Sequence, residues 1–353
     1  MDTFCVLPWF SKEIDFNNNK TPCCLLPKNH NLEEIKKDLL SGQRSSACQK
    51  CWSLEDQGLK SDRQVKNESL DFYWDKDLTK IIEDVKQDIT PTRILKLTTS
   101  YTCNATCVSC GSGASSSWAQ LDRRTDPTIP IKKYKFIDIE KIKQDVDFKE
   151  LKMLSLLGGE PLYEKKNFDL LEQLLDTGND QLFISMITNG SVVLSDRQKR
   201  ILSKFKNINF SLSIDGVGPV FEYLRFPLKW DQLKENFQFF KEISENVSSN
   251  YTLSNLNVLY HNQTKQWFDQ NNIVYSVNPI YKPVWLQPRA LSADIKQVLK
   301  EKLSPMDYNM FVGAVHTDQD QQNFNLMLEN IKLQDSSKNI LIKDYLPELV
   351  NLF

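Results

Sequence analysis

No run in this sequence approaches the roughly 18 consecutive apolar residues that a bilayer span needs, so no membrane-crossing helix is expected. A basic surplus is missing as well. Lys and Arg number 44 against 46 Asp and Glu, a formal net charge of −2, which gives no electrostatic ground for a nucleic-acid partner. Histidine is scarce: His30, His261 and His316 are the only three, and their spacing is not that of metal ligands. The opening Met1-Asp2-Thr3-Phe4-Cys5 has no basic stretch followed by an apolar core, so no signal peptide is expected and the cytoplasm is the expected compartment. No internal repeat or low-complexity tract is present. The most informative absence is that of cysteine, which does not occur after Cys110.

The eight cysteines therefore crowd the first third of the chain, in two groups: Cys5, Cys23, Cys24, Cys48 and Cys51, then Cys103, Cys107 and Cys110. In a reducing compartment, clustered thiols point to metal or catalysis rather than disulfides. Two groups point to two metal sites. The rest of the composition is that of a soluble globular protein, with 353 residues, 40% hydrophobic and 25% charged, enough for two or three domains.

Residues 1–88 show little periodic apolar pattern beyond a short helix expected at Leu32–Leu40. Such a segment buries little core alone, and a metal is a natural staple for it. From Arg93 the texture changes. Strands are expected at Ile94–Thr99, Leu151–Leu157, Leu182–Thr188, Ile208–Ile214, Tyr251–Leu259 and Ile273–Asn278. Between them fall helical patterns at Ile137–Val146, Asn167–Leu175, Asp196–Phe205, Trp230–Ile243 and Gln263–Gln270. This alternation implies an α/β fold with a parallel sheet, about six βα units, fewer than a full TIM barrel. After Pro283 helices are expected at Ala293–Leu303 and Asp318–Leu333, with a shorter one at Ile340–Leu346 stopped by Pro347. The expected division is a cysteine-rich domain over 1–88, a partial (β/α)6 barrel over 89–283 and a helical extension over 284–353.

The loop after the first strand of the barrel reads Cys103-Asn104-Ala105-Thr106-Cys107-Val108-Ser109-Cys110. Three thiolates on one loop can ligate three irons of a cubane and leave the fourth open for a substrate's amino and carboxylate groups. A zinc knuckle short of one ligand, or buried thiols, is the plainer alternative. Three further motifs stand at the C-terminal ends of the following strands, where such folds place their chemistry. Gly158-Gly159-Glu160-Pro161 permits a close backbone approach, and Glu160 can accept from an ammonium group. Thr188-Asn189-Gly190 is a strong turn. In Ser211-Leu212-Ser213-Ile214-Asp215-Gly216, Ser213 and Asp215 share a face and can bond a ribose.

Taken in this order on consecutive strands, these motifs resemble the radical S-adenosylmethionine (SAM) superfamily over residues 93 to about 280. The resemblance implies a catalytic 4Fe–4S cluster on Cys103, Cys107 and Cys110, and a methionine-binding motif at Gly158, Gly159, Glu160 and Pro161. It also implies ribose contacts from Ser213, Asp215 and Asn189. Arg225 becomes the candidate partner of the SAM carboxylate. The family often carries an aromatic residue just before the third cysteine; here it is Ser109, so adenine packing is left unassigned.

In the N-terminal group, four thiolates close a site completely, as structural zinc or a fully ligated cluster requires, and spacing does not separate the two. Cys5, Cys23, Cys48 and Cys51 are the candidate ligands. Cys24 is the spare, because successive side chains of extended chain point apart. The segment resembles the SPASM or twitch auxiliary module in its Cys5-x-x-Pro8-Trp9 opening, Pro22-Cys23-Cys24, Cys48-x-x-Cys51, Glu55, Gly58, Ser61 and Arg63. That module usually follows the barrel; here, as in one subgroup, it precedes it. The resemblance implies an auxiliary 4Fe–4S cluster and a reductant such as flavodoxin or ferredoxin. It implies hydrogen abstraction from a peptide or protein side chain, with a small molecule or nucleotide as the alternative substrate. From other classes, a non-catalytic iron–sulfur or zinc regulatory module, or an interaction protein built on the C-terminal helices, fits less of the sequence. Neither needs the motifs of Gly158–Pro161 and Ser213–Asp215.

Overall fold

A computed structural model describes residues 3–70, 74, 77–313 and 316–353. Its centre is one eight-stranded sheet: β1 (Ser11–Asp15), β2 (Lys20–Thr21), β3 (Ile94–Thr98), β4 (Met153–Leu157), β5 (Phe183–Thr188), β6 (Asn207–Leu212), β7 (Asn246–Leu253) and β8 (Val274–Pro279). The strands lie in the order β2-β1-β3-β4-β5-β6-β7-β8. All neighbours are parallel except β1 and β2, which form a short antiparallel hairpin.

The sequence of each strand explains its place. β3 (ILKLT) and β4 (MLSLL) are near-continuous apolar runs, as strands covered on both faces must be, and Leu95, Leu97, Leu154 and Leu156 are fully buried. β8 (VYSVNP) alternates exposed and half-buried residues, as an edge strand does. Helices between consecutive strands supply the crossovers that parallel pairing requires, including Lys165–Asp176, Asp196–Leu202 and Trp230–Ile243. Their starts follow local chemistry: Ser195 caps its helix with a capping box completed by Gln198.

Six of the eight strands are the six the pattern predicts; β1 and β2 come from the cysteine-rich segment. β1 pairs with β3 in parallel, Glu13 opposite Lys96, and their side chains form an ion pair at 2.8 Å. The N-terminal segment and the barrel strands are thus joined by backbone hydrogen bonds. That segment also builds an apolar cluster of its own, with Phe4, Phe10, Ile35, Leu39, Trp52 and Ile81 buried. More core is present than its pattern implied, because apolar residues scattered over several short helices converge in space.

Two expectations are corrected. The strand placed at Tyr251–Leu259 runs instead over Asn246–Leu253. After it, the Asn257 side chain donates to the carbonyls of Asp215 and Thr252 and holds the chain in a turn. The helix placed at Ile340–Leu346 is only a 3-10 turn at Ile342–Asp344, and Pro347 begins a short helix, Pro347–Val350, rather than stopping one. Proline suits a first helical position, where no N–H partner is needed. The long C-terminal helix, Asp318–Lys338, contacts the helix that follows the cysteine loop, Ser116–Thr125. It is tied down by a buried Lys296–Asp320 ion pair and by Tyr223 donating to Asp335 at 2.8 Å.

Candidate active site and N-terminal thiol cavity

The cysteine loop leaves the C-terminal end of β3 and is held in place by its backbone. Thr106 and Val108 donate their amides to the carbonyls of Phe226 and Leu224, at 2.6 and 2.8 Å. Ser115 and Ser117 donate their hydroxyls to Ala105 and Cys103, at 2.6 and 2.7 Å. The Trp118 indole donates to the Cys107 carbonyl at 2.9 Å. All eight cysteines are free thiols. Cys103 is buried, Cys107 half-buried and Cys110 exposed. Burial pushes the Cys103 thiol up to about 12 and the Cys107 thiol up to about 11, with the Arg225 charge opposing it at Cys107. Such thiols stay protonated until a metal displaces the proton.

The glycine pair after β4 meets the chain rather than open space. A Cβ on Gly158 would lie 2.7 Å from the Ser100 carbonyl oxygen, and one on Gly159 would lie 2.4 Å from that of Thr102. Only bare backbone fits against the segment leading into the cysteine loop. Pro161 contributes a carbonyl that accepts from Asn167. Glu160 is buried and its carboxylate ties neighbouring strand ends together. Oε1 accepts from the Thr188 hydroxyl at 2.6 Å and the Leu162 amide at 3.0 Å, and Oε2 accepts from the Asn189 amide at 2.7 Å. Burial raises its pKa, and these bonds oppose the rise. Asn189 in turn donates its side-chain amide to Asn104, inside the cysteine loop, at 2.8 Å.

Asp215 and Arg225 were single candidates in the sequence; they form one buried ion pair, Nη2 to Oδ2 at 2.7 Å. The other Asp215 oxygen accepts from the Thr252 amide at 3.0 Å, so its carboxylate is engaged on both sides. Arg225 Nε is buried without a hydrogen-bond partner. Ser213 is half-buried and donates its amide to the Thr188 carbonyl. Ser109 is exposed. The C-terminal helix adds residues that pattern reasoning missed. Gln334 donates to the Val108 carbonyl at 3.3 Å, and buried Lys338 lies 4.8 Å from the Trp118 ring centroid. No motif in the sequence marks either, since only the fold returns that helix to the loop.

Cys5, Cys23, Cys48 and Cys51 line one cavity, together with Arg63. Burial pushes the Cys5 thiol far up, and Cys23, Cys48 and Cys51 add to the rise; Cys24 is exposed and does not line the cavity. Of the motif residues Glu55, Ser61 and Arg63, Arg63 lines the cavity, and Glu55 and Ser61 hold it there. Arg63 donates to both Glu55 oxygens, at 3.0 and 2.7 Å, and to the Phe4 carbonyl at 2.8 Å, and it lies over the Trp52 ring. Ser61 donates to Glu55. Gly58 supplies the positive φ of +74° between them. Among the described residues, no three His, Cys, Asp or Glu side chains converge on a point that would hold a single metal ion. A cubane takes one thiolate per iron, and both donor sets suit it in chemistry: free thiols only, three on one loop and four around one cavity.

Residues 97–268, from β3 to the helix before β8, match the Radical SAM superfamily. The chain carries a radical SAM domain. None of the curated proteins matches it in sequence. Among solved structures, the chain is similar to anSMEcpe with bound AdoMet, at 19% identity over 54% of this chain and 53% of that one, with a TM-score of 0.40. It spans about half the length of that protein. It is also similar to Streptococcus suis SuiB bound to precursor peptide SuiA, at 15% identity over 86% of this chain and 69% of that one, TM-score 0.40. A third is TYW1 with a lysine-pyruvate adduct, at 14% identity over 66% and 70%, TM-score 0.31. Among the described residues, no helix is long and apolar enough to cross a membrane.

Proposed function

We propose that this chain reductively cleaves SAM at a cluster held by Cys103, Cys107 and Cys110, and uses the product radical on a peptide or protein side chain. The observation that carries the reading is an alignment of strand ends. The cysteine loop follows β3, Glu160 follows β4, Asn189 follows β5, and Ser213 and Asp215 follow β6, at the C-terminal ends of four adjacent parallel strands. When bound, the cluster and SAM supply one-electron cleavage to a 5′-deoxyadenosyl radical that takes a hydrogen atom from an unactivated carbon.

The protein's own residues bind and orient. Arg225 places positive charge beside Cys107 and Cys103, which favours the thiolates that ligation requires, and Asp215 holds the guanidinium still. Its unpaired Nε is a donor ready for a carboxylate. Glu160 retains a lone pair on Oε2 for an ammonium group while locking the ends of β4 and β5 into one frame. Ser213, half-buried just past the end of β6, is the proposed ribose contact. In the N-terminal cavity, Cys5, Cys23, Cys48 and Cys51 are the proposed ligands of an auxiliary 4Fe–4S cluster. The resemblance of that segment to SPASM or twitch modules supports a peptide substrate, with flavodoxin or ferredoxin as the electron source.

The test is anaerobic reconstitution with iron and sulfide, then SAM and dithionite, reading 5′-deoxyadenosine. About eight irons per chain, as two cubanes require, and product that vanishes in Cys107→Ala are expected. Zinc in place of iron with no product would overturn the reading.

A further inference from the structure

Two cavities flank the helix Ser116–Thr125, which leads away from the cysteine loop. One, of about 470 Å³, is walled by Tyr101, Ser116, Arg123, Arg124, Ile131 and Lys132 among others. The other, of about 220 Å³, is walled in part by Asn104, Thr106, Ser117, Phe226 and Lys338. Both share Gln120 and Arg124, so together they form one trough along the helix. Its inner end is the cysteine loop itself: Ser116 and Ser117 both donate to the Cys103 carbonyl, and Asn104 and Thr106 lie between the ligand cysteines.

The charge of the trough is one-sided. Arg123, Arg124, Lys132 and Lys338 line it, and no carboxylate does. Arg123 Nε is buried without a hydrogen-bond partner, and neither Arg123 nor Arg124 enters an ion pair among the described residues. Lys132 is held rigidly, donating to the carbonyls of Ser112 and Gly113 at 3.2 and 2.9 Å and lying 4.0 Å from the Tyr101 ring centroid. Burial lowers its pKa, and neighbouring Lys135 lowers it further, with no carboxylate opposing. The acids on the same stretch lie off the lining or are turned to other work: Asp122, next to Arg123, does not line either cavity, Asp126 accepts from Thr128, and Asp335, near Lys338, accepts from Tyr223 and Ile342. On a chain whose formal net charge is −2, this is an uncompensated cationic surface beside the site of chemistry.

We propose that the trough binds an acidic peptide segment of the substrate, whose carboxylates pair with Arg123, Arg124 and Lys132 and so lead the reacting residue toward Asn104 and the cysteine loop. The proposal rests on the reading of this chain as a peptide-directed radical SAM enzyme, and specifies its substrate as acidic. A concave, polar-walled channel fits an extended chain. Nucleic acid is disfavoured, because no exposed aromatic face lines the trough: Tyr101 is buried with Lys132 over its ring, Phe226 is half-buried, and the exposed large apolar wall residue is Ile131.

The experiment uses the reconstituted protein and a fluorescein-labelled octaglutamate peptide, read by anisotropy, with an uncharged peptide of equal length and an oligothymidylate of equal charge as comparisons. Octaglutamate is expected to bind, the uncharged peptide not, and affinity to fall with added salt. Arg124→Glu, at an exposed position, and the triple Arg123→Ala/Arg124→Ala/Lys132→Ala are expected to weaken binding by about tenfold or more. Iron content and melting temperature check that each variant is folded; if the triple fails to fold, Arg124→Glu and the salt dependence decide. Absence of octaglutamate binding, or binding that none of the substitutions alters, overturns the proposal. So does tighter, substitution-sensitive binding of the oligothymidylate, or variants that bind peptide normally but lose reduction by flavodoxin. SAM cleavage measured on the same sample separates the two readings. 5′-Deoxyadenosine without octaglutamate binding sinks only the trough, and binding without 5′-deoxyadenosine sinks only the enzyme reading.

Discussion

Replacing Arg63 with methionine removes the charge that organises the N-terminal thiol cavity. The guanidinium makes a bidentate pair with Glu55 at 3.0 and 2.7 Å and a third bond to the Phe4 carbonyl at 2.8 Å. Both side chains of the pair are under a tenth exposed, at 8% and 9%, so water screens it little. Removing one partner of a buried pair typically costs about 3–5 kcal/mol, because the other charge is left without a counter-ion. The Phe4 carbonyl is not orphaned, since Asn67 also donates to it at 2.7 Å, so the low end of that range is expected. Urea unfolding of Arg63→Met should therefore show a loss of about 3 kcal/mol. Iron should fall from about eight to about four per chain, with the cluster site on β3 still loaded. The double variant Glu55→Leu/Arg63→Met removes both charges and should recover most of the stability. Wild-type stability and iron in the single variant would refute the argument. A double variant no better than the single would show that packing, rather than the uncompensated Glu55 charge, holds the wall.

Three further outcomes are expected. Cys23→Ser should lose about four irons while Cys24→Ser keeps all of them, read by iron analysis; the reverse would exchange their roles. Gly159→Ala should abolish SAM binding or folding, since its Cβ would meet the Thr102 carbonyl at 2.4 Å, whereas Gly111→Ala, with nothing within 4 Å, should leave the melting temperature unchanged. His261 is buried and burial pushes its pKa from 6.5 down to about 4, so between those values the unfolded chain binds more protons than the native one. Its contribution, about 3 kcal/mol for a shift of that size, is full above about pH 6.5 and lost as pH falls to about 4. His261→Gln should flatten the stability–pH curve over that window; an unchanged slope would refute it.

Much of the barrel was legible because its strands are apolar runs bounded by turns and its chemistry stands at their ends. Cys103, Glu160, Asn189 and Asp215 were singled out by their motifs and the resemblance those carry, and the fold brings them to adjacent strand ends. What was not legible depends on partners distant in sequence. Ser11–Asp15 reads SKEID, with no apolar alternation, and becomes a strand because β3 offers an open edge. The Asp215–Arg225 pair was missed as a pair because each residue was weighed singly. The Gly158–Gly159 pair reads in sequence as permitting a close backbone approach, but only the fold shows that the chain at Ser100–Thr102 makes that approach. Lys338 and Gln334 belong to a helix that carries no motif.

The parallel pairing of β1 with β3 also sets an order of events in the making of the protein. Cys5, Cys23, Cys48 and Cys51 leave the ribosome well before Ile94–Thr98, yet β1, between Cys5 and Cys23, has only the two-residue β2 beside it until β3 arrives. Chains grow at about 5–20 residues per second, so the N-terminal thiols wait seconds in an unfinished frame. During that interval they are open to oxidants and to competing metals, and the same residues that complete the frame bring Cys103, Cys107 and Cys110 immediately after. Completion of the two thiol sites, the proposed seats of iron, is thereby tied to one assembly step, late in the synthesis of the first third of the chain.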